Sequence, residues 1–315
     1  MKYSVIVPIY NEEEVVQASY DELKKTLDKL DGVYELVFVN DGSKDKSLEI
    51  LREICKSDEN VRVISFSRNF GHQNAITAGM DYAQGEAIVI IDADLQDPPE
   101  VILQMVEKWK EGYHVVYGKR IRREGETFFK KASAKLYYRL LGAMTSVDIP
   151  VDVGDFRLID RQVCDALKNL SEKNRYVRGL VSWVGYNQSY VEYVRNERFA
   201  GETKYPLKKM IKFALDGITA FSNKPLKLAT NIGLLISIGS FLHLMYVLFE
   251  RVVMQNTAWG WASTMSVLLF TQGIVLMVLG LMGEYIGRIF DETKNRPIYL
   301  VQESLGYKKP EKEAE

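Results

Sequence analysis

The chain has 315 residues, enough for one large α/β domain plus an appendage, and its 47% hydrophobic and 26% charged residues are an ordinary globular balance. A formal net charge of −1 gives no global field for nucleic acid, so nucleic acid is not an expected partner. Two cysteines far apart in sequence, Cys55 and Cys164, exclude a disulfide framework and point to a reducing compartment.

Strand-like and helix-like segments alternate from the start. Tyr3–Ile9 reads as a strand; it carries Pro8 and runs into Glu12-Glu13-Glu14, so it is not a signal peptide, and the front domain is expected in the cytoplasm. Glu12–Leu30 reads as a helix, Tyr34–Val39 as a strand, Ser47–Lys56 as a helix, Val61–Phe66 as a strand and Ala75–Ala83 as a helix. The apolar run Ala87–Ile91 is the fourth strand. This is the pattern of an α/β fold with a mostly parallel, doubly wound sheet covered on both faces. Pro8-Ile9-Tyr10-Asn11-Glu12, Asn40-Asp41-Gly42-Ser43 and Arg68-Asn69-Phe70-Gly71-His72 each follow a strand, so they are expected at one edge of the sheet. No G-x-G-x-x-G follows the first strand, which argues against a dinucleotide fold.

The fourth strand closes on Asp92-Ala93-Asp94, followed by Leu95-Gln96-Asp97-Pro98-Pro99. Two carboxylates one residue apart at a strand's carboxyl edge lie where open α/β sheets place their ligands. Hard oxygen donors of this kind suit Mg²⁺ or Mn²⁺, which take one or two carboxylates and complete their shell with substrate phosphates. The competing reading of so short a motif is a solvated acidic turn ahead of a helix that starts at the prolines.

Residues 115–200 are less regular: a strand at Val115–Tyr117, the basic cluster Lys119-Arg120-Ile121-Arg122-Arg123, a helix at Thr127–Leu141 and the stretch Asp152–Arg157. Further on, Tyr205–Ser222 spaces apolar residues as one face of a helix flanked by Lys208, Lys209 and Lys212, which reads as an interfacial helix on anionic lipid, with a plain core helix as the alternative. Leu226–Phe249 and Ala262–Met282 are apolar runs long enough, at about 1.5 Å per residue, to cross a bilayer core of about 30 Å. Lysines and arginines flank the pair on its outer ends, from Lys204 to Lys227 before and at Arg288, Lys294 and Arg296 after. The connecting loop has only Arg251 beside Glu250, with Trp259 and Trp261 as interfacial anchors. Both termini are therefore expected in the cytoplasm. The division that follows is a cytoplasmic domain over 1–200, an amphipathic region over 201–225, two membrane helices within 226–286 (about 226–249 and 262–283) and a cytoplasmic tail over 287–315 whose last residues, Lys308–Glu315, are a charged, disordered end.

Val7-Pro8-Ile9-Tyr10-Asn11-Glu12, Asn40-Asp41-Gly42-Ser43 and Asp92-Ala93-Asp94-Leu95-Gln96 resemble the inverting GT-A glycosyltransferases of family 2. Arg68–His72, Asp152–Leu158, Ala200–Tyr205 and Gly283–Arg288 are similar to the polyprenyl-phosphate glycosyltransferases among them. The bactoprenol (undecaprenyl-phosphate) glucosyltransferases are the nearest group and the dolichyl-phosphate mannose synthases are relatives. The resemblance spans nearly the whole chain and is specific for the family, much less so for the sugar. It implies that Pro8, Tyr10 and Glu12 line a nucleoside pocket and that Asp41 accepts a hydrogen bond from the base. The family often has two aspartates before the glycine; here the first is Asn40. It implies further that Asp92 approaches the ribose or sugar, that Asp94 and Gln96 hold the metal on the donor diphosphate, and that Arg120 binds phosphate. Asp155 matches a third family carboxylate, assigned to orienting the sugar or assisting the acceptor, with general base as the hypothesis. Arg157, Arg178, Arg198 and Lys204 are the candidates for cradling the acceptor phosphate, although Arg178 equally suits a helix cap.

The implied reaction is transfer of one sugar, with glucose first in line, from a UDP-sugar to undecaprenyl phosphate at the cytoplasmic face of a bacterial inner membrane. The lipid phosphate has a second pKa near 6 and is mostly ionised at neutral pH, so a strong general base is less necessary than for a hydroxyl acceptor. Two spans do not make a channel, which leaves flipping to a separate flippase and use of the product to a downstream transferase. The resemblance also implies a homo-oligomer, a tetramer. Two rivals stand beside this reading. A processive polysaccharide synthase normally has more spans and a Gln-x-x-Arg-Trp motif, where this chain has Arg175-Tyr176-Val177-Arg178-Gly179. A non-catalytic membrane scaffold is disfavoured because Asp92, Asp94 and Gln96 are all present.

Overall fold

In the computed structural model, which describes residues 1–121, 153–196, 224–253 and 260–307, β1 (Tyr3–Ile9) lies inside an eight-stranded sheet. After it come α1 (Val16–Leu27), β2 (Tyr34–Asn40), α2 (Ser47–Ser57), β3 (Val61–Phe66), α3 (His72–Tyr82), β4 (Ala87–Ile90), α4 (Val101–Lys110) and β5 (Val115–Arg120). Then follow β6 (Val153–Asp160), α5 (Arg161–Lys168), α6 (Val177–Trp183), β7 (Gln188–Tyr193), α7 (Lys224–Val253), α8 (Trp261–Thr293) and β8 (Val301–Leu305). The strand order is β7-β5-β6-β4-β1-β2-β3-β8.

The first four strands are parallel to one another, as their near-continuous apolar runs require: every residue of β1, β2 and β4 is buried, because helices cover both faces. One cluster, with Val5, Leu36, Phe38 and Val89, lies on one face; a second, with Ile6, Val37, Ile64 and Ile90, lies on the other. Pro8 is tolerated inside β1 because β4 stops pairing at Ile6, so on that side the missing N–H is needed by no partner strand. Gly79 allows α3 to press onto β1, since a Cβ there would lie 2.2 Å from Ile6 Cγ2.

The sheet is mostly parallel, as expected, and its exceptions lie towards its two sides. β6 runs antiparallel to both β4 and β5, and β8 runs antiparallel to β3. Reversal of β6 brings its N-terminal end, with Asp155, to the same edge as the C-terminal ends of β1–β5. The sequence reading placed 287–315 in a tail, yet Val301–Leu305 completes the sheet as its edge strand, and Arg52 locks it through Glu303 at 2.8 Å. The unpaired N–H and C=O groups of β3 are the physical reason: an open edge takes up any extended segment of suitable pattern.

α1 begins at Val16 rather than Glu12, because Asn11 turns into the left-handed region (φ 52°) and the Glu12 N–H donates to Ser47 Oγ. α3 begins earlier than expected, at His72. α7 and α8 have 30 and 33 residues, long and apolar enough to cross a membrane. Among the described residues no protein core covers them: Leu235, Phe270 and Met277 are 69%, 70% and 75% exposed. The expected helix Thr127–Leu141, the interfacial helix Tyr205–Ser222, and Arg122, Arg123, Asp152, Arg198, Lys204, Trp259 and Lys308–Glu315 lie outside the described residues.

Candidate active site

The loops after β1 and β2 interlock through short polar side chains. Ser43 Oγ accepts from the Asn11 N–H (3.0 Å), and Asn11 Oδ1 accepts from the Lys44 N–H (2.8 Å). Tyr10 is left exposed beside them and Glu12 half-buried, while Pro8 is buried within the strand. Of the three residues expected at a nucleoside pocket, only Tyr10 and Glu12 therefore reach the edge with side chains.

Asp41 has a task inside the fold. Its carboxylate is buried and accepts from Phe70 N (2.6 Å), Gly71 N (2.9 Å) and Asn69 Nδ2 (2.9 Å), which shapes the loop after β3. Burial pushes this carboxyl's pKa up, and the Phe70 and Gly71 amides counteract it. Gly42 follows in the left-handed region (φ +64°), packed so closely that a Cβ would lie 2.3 Å from the Arg68 carbonyl carbon.

That loop delivers His72, the first residue of α3, to the centre of the site. Its Nε2 lies 3.3 Å from Asp155 Oδ2 and 3.5 Å from Asp92 Oδ1. From the opposite side Arg178, on α6, donates from Nε to Asp155 Oδ1 (2.8 Å) and from Nη2 to Oδ2 (2.9 Å). Burial opposes ionisation of Asp155, but Arg178 and His72 outweigh it and hold the carboxyl well below the usual range. Burial likewise opposes protonation of His72, yet Asp155 and Asp92 raise its pKa to about 9. Asp92 is pushed up to about 6, by burial first and then by the carboxylates of Asp155, Asp97 and Asp94, with His72 acting against them.

Arg157, an acceptor candidate, has no exposed surface at the site edge. It is wholly buried beneath the site, donates from Nη2 to the Gly154 carbonyl (2.7 Å) and from Nε to the Asp155 carbonyl (3.2 Å), and lies over the Tyr117 ring. A buried guanidinium with these partners braces the start of β6. Arg178, another acceptor candidate, grips Asp155. Arg120, at the end of β5, lies across Gly154, where a Cβ would come within 2.6 Å of its Nη2. Its Nε donates to Tyr193 Oη (3.2 Å), and its Nη2 is 3.5 Å from Asp97 Oδ2. Arg195 Nε lies 3.4 Å from the other oxygen of Asp97, which also accepts from Tyr193 Oη at 2.5 Å.

Asp92, Asp94, Gln96, Asp155, Arg120 and Arg178 thus belong to one edge. Sequence reasoning gave no role to His72, Asp97, Tyr193 or Arg195. His72 sat within a motif already singled out, and Asp97 within the acidic loop itself, so position relative to the strand ends was the available signal. Among the described residues no three His, Cys, Asp or Glu side chains form a protein-only metal cage. The donor chemistry nevertheless fits Mg²⁺ or Mn²⁺, because Asp94, whose Oδ1 receives the Gln96 N–H at 3.2 Å, offers hard oxygen beside Asp92 at a strand end.

Residues 4–168 match the model of glycosyl transferase family 2, and residues 224–289 match that of the GtrB C-terminal hairpin. The chain is 62% identical to the glycosyltransferase YkcC of Bacillus subtilis (strain 168), over 97% of this chain and 95% of that one. It is 41% identical to the bactoprenol glucosyl transferase of Shigella phage SfII, over 96% and 98% of the two chains. It is 40% identical to the prophage bactoprenol glucosyl transferase homolog of Escherichia coli (strain K12), over 96% and 99%. The chain belongs to glycosyl transferase family 2, as a GT-A glycosyltransferase that carries a GtrB-type hairpin.

Proposed function

We propose that this protein transfers a single glucose from UDP-glucose to undecaprenyl phosphate, with inversion at the anomeric carbon, at the cytoplasmic face of the bacterial cell membrane. The observation that carries this reading is the near full-length likeness, hairpin included, to proteins named bactoprenol glucosyl transferases. Tyr10 and Glu12 flank the nucleoside, and Asp41 acts on it indirectly by fixing the 69–71 loop. A divalent ion, Mg²⁺ or Mn²⁺, held by Asp94 and Gln96 would neutralise the diphosphate as it leaves. Asp92 faces the sugar. Arg120 and Arg195 supply positive charge for the phosphates, with Arg198 and Lys204 assigned to the acceptor.

Asp155 orients the site rather than taking a proton. Its oxygens are engaged by Arg178 and His72 and it is a weak base, while the acceptor phosphate is already ionised near neutrality. Pairing of β8 with β3 returns the chain to the catalytic sheet after α8, which supports a hairpin whose two ends share one side. Lysines and arginines at those ends favour the cytoplasm. Two spans make no channel, so a flippase and a downstream transferase follow, and the family resemblance supports a homo-oligomer. The test is a screen of UDP-sugars with undecaprenyl phosphate in detergent. Glucose transfer to give one lipid-linked sugar is expected; sugar polymer, or preference for another UDP-sugar, overturns the corresponding part.

A further inference from the structure

The two cations on Asp155 arrive on separate loops. Both loops are touched by the same segment, the stretch that leaves the second long helix. His72 follows the loop after β3. Tyr299 packs at the start of that loop, stacking on Phe66 (ring centroids 5.1 Å, planes 13° apart), and donates to Asp81 Oδ2 (2.8 Å) at the far end of α3. Between them the Leu300 carbonyl accepts from the Ser67 N–H (3.0 Å). Phe66 in turn meets Phe70 edge-on at 5.7 Å, and the Arg68 guanidinium covers Phe70 at 4.0 Å.

Arg178 follows the loop after α5. There Glu292, in the last turn of α8, accepts from the Lys173 N–H (2.8 Å), and Asn295 Oδ1 accepts from Lys173 Nζ (3.0 Å). Gln73 Oε1 accepts from the Val177 N–H (2.9 Å) and ties the starts of α3 and α6 together. An aromatic stack and an ion-to-amide bond thus hold both arms from beneath, and neither Tyr299 nor Glu292 lies at the reacting edge.

We propose that Tyr299 and Glu292 are positioning residues, and that the segment 292–303 is a clamp setting His72 and Arg178 on Asp155. Docking of the hairpin's exit segment on the sheet then becomes a condition for an assembled site. For its kinetic readout this rests on the glucosyl transfer proposed above.

The test uses the full chain in detergent, with Tyr299→Ala, Tyr299→Phe and Glu292→Ala. Hydrogen–deuterium exchange over 67–74 and 172–180 reads loop order without any substrate. Kinetics with UDP-glucose and undecaprenyl phosphate read the consequence. Tyr299→Ala is expected to speed exchange over 67–74, and Glu292→Ala over 172–180, while β1 and β4 exchange as in the wild type. Each is expected to lower kcat about tenfold or more with little change in the donor KM, as misplacement of catalytic groups does. Tyr299→Phe keeps the stack and is expected to restore most of kcat. Unchanged exchange in both loops, or faster exchange throughout the sheet, overturns the clamp; so does normal kcat in Tyr299→Ala. If the wild type makes no lipid-linked glucose, the functional reading fails and exchange alone decides the clamp.

Discussion

Arg178 and Asp155 form a two-point pair, Nε to Oδ1 at 2.8 Å and Nη2 to Oδ2 at 2.9 Å, with His72 on the same carboxylate at 3.3 Å. Asp155→Asn keeps the shape and removes the charge that faces these cations. Breaking a buried pair from one side costs several kcal/mol; because Arg178 keeps some water contact, we expect about 3 kcal/mol. Unfolding in detergent reads this loss. Residual transfer is expected, rising with pH only until the acceptor phosphate's second ionisation, with a pKa near 6, is complete. Normal donor binding with no transfer at any pH contradicts this and makes Asp155 the base.

His72 should be an imidazolium at neutral pH. Its folded pKa of about 9 lies above the unfolded value of about 6.5. Its contribution to stability is therefore whole below about 6.5 and fades as pH rises through about 9. The stability gap between wild type and His72→Gln is expected to be largest near pH 6 and smallest above about pH 9. A gap that widens with pH contradicts the assignment.

Asp94→Ala is expected to abolish transfer in a protein that still folds and inserts. Loss of the metal ligand removes stabilisation of the leaving diphosphate. EDTA should do the same to the wild type, and added Mg²⁺ or Mn²⁺ should restore it. Undiminished turnover in EDTA rules out the metal role.

Gly42→Ala places a methyl group against backbone, 2.3 Å from the Arg68 carbonyl carbon and 2.6 Å from Asn69 N, at φ +64°. Neither neighbour can rotate away. A destabilisation of more than about 1 kcal/mol is expected, together with weaker UDP binding through the displaced Asp41-bound loop. A melting temperature equal to that of the wild type contradicts this.

Cysteine labelling from outside intact cells is expected to reach a probe at Thr257, between the long helices, and not one at Ser304, in β8. The reason is pairing of Ser304 with Ile64 in the catalytic sheet. Labelling at Ser304 alone reverses the hairpin.

The amino-acid sequence by itself determined the elements whose signal is local. The strands Tyr3–Ile9 and Val61–Phe66 have the bounds their apolar runs indicated, and the long apolar helices stand where twenty or so uncharged residues demanded them. Because parallel strands carry their following loops to one edge, the convergence of Tyr10, Asp41 and Asp92 was legible as well. Tertiary structure alone decided the rest. That β6 turns antiparallel and presents Asp155, that β8 returns from beyond the second long helix, and that His72 stands between two carboxylates all depend on pairings between distant parts of the chain. Arg157 and Arg178 look alike in the sequence, yet one is sealed inside the protein on β6 and the other grips Asp155. Periodicity reports which face of an element is buried, whereas the partner of a buried charge is chosen by packing, and packing is a property of the whole fold.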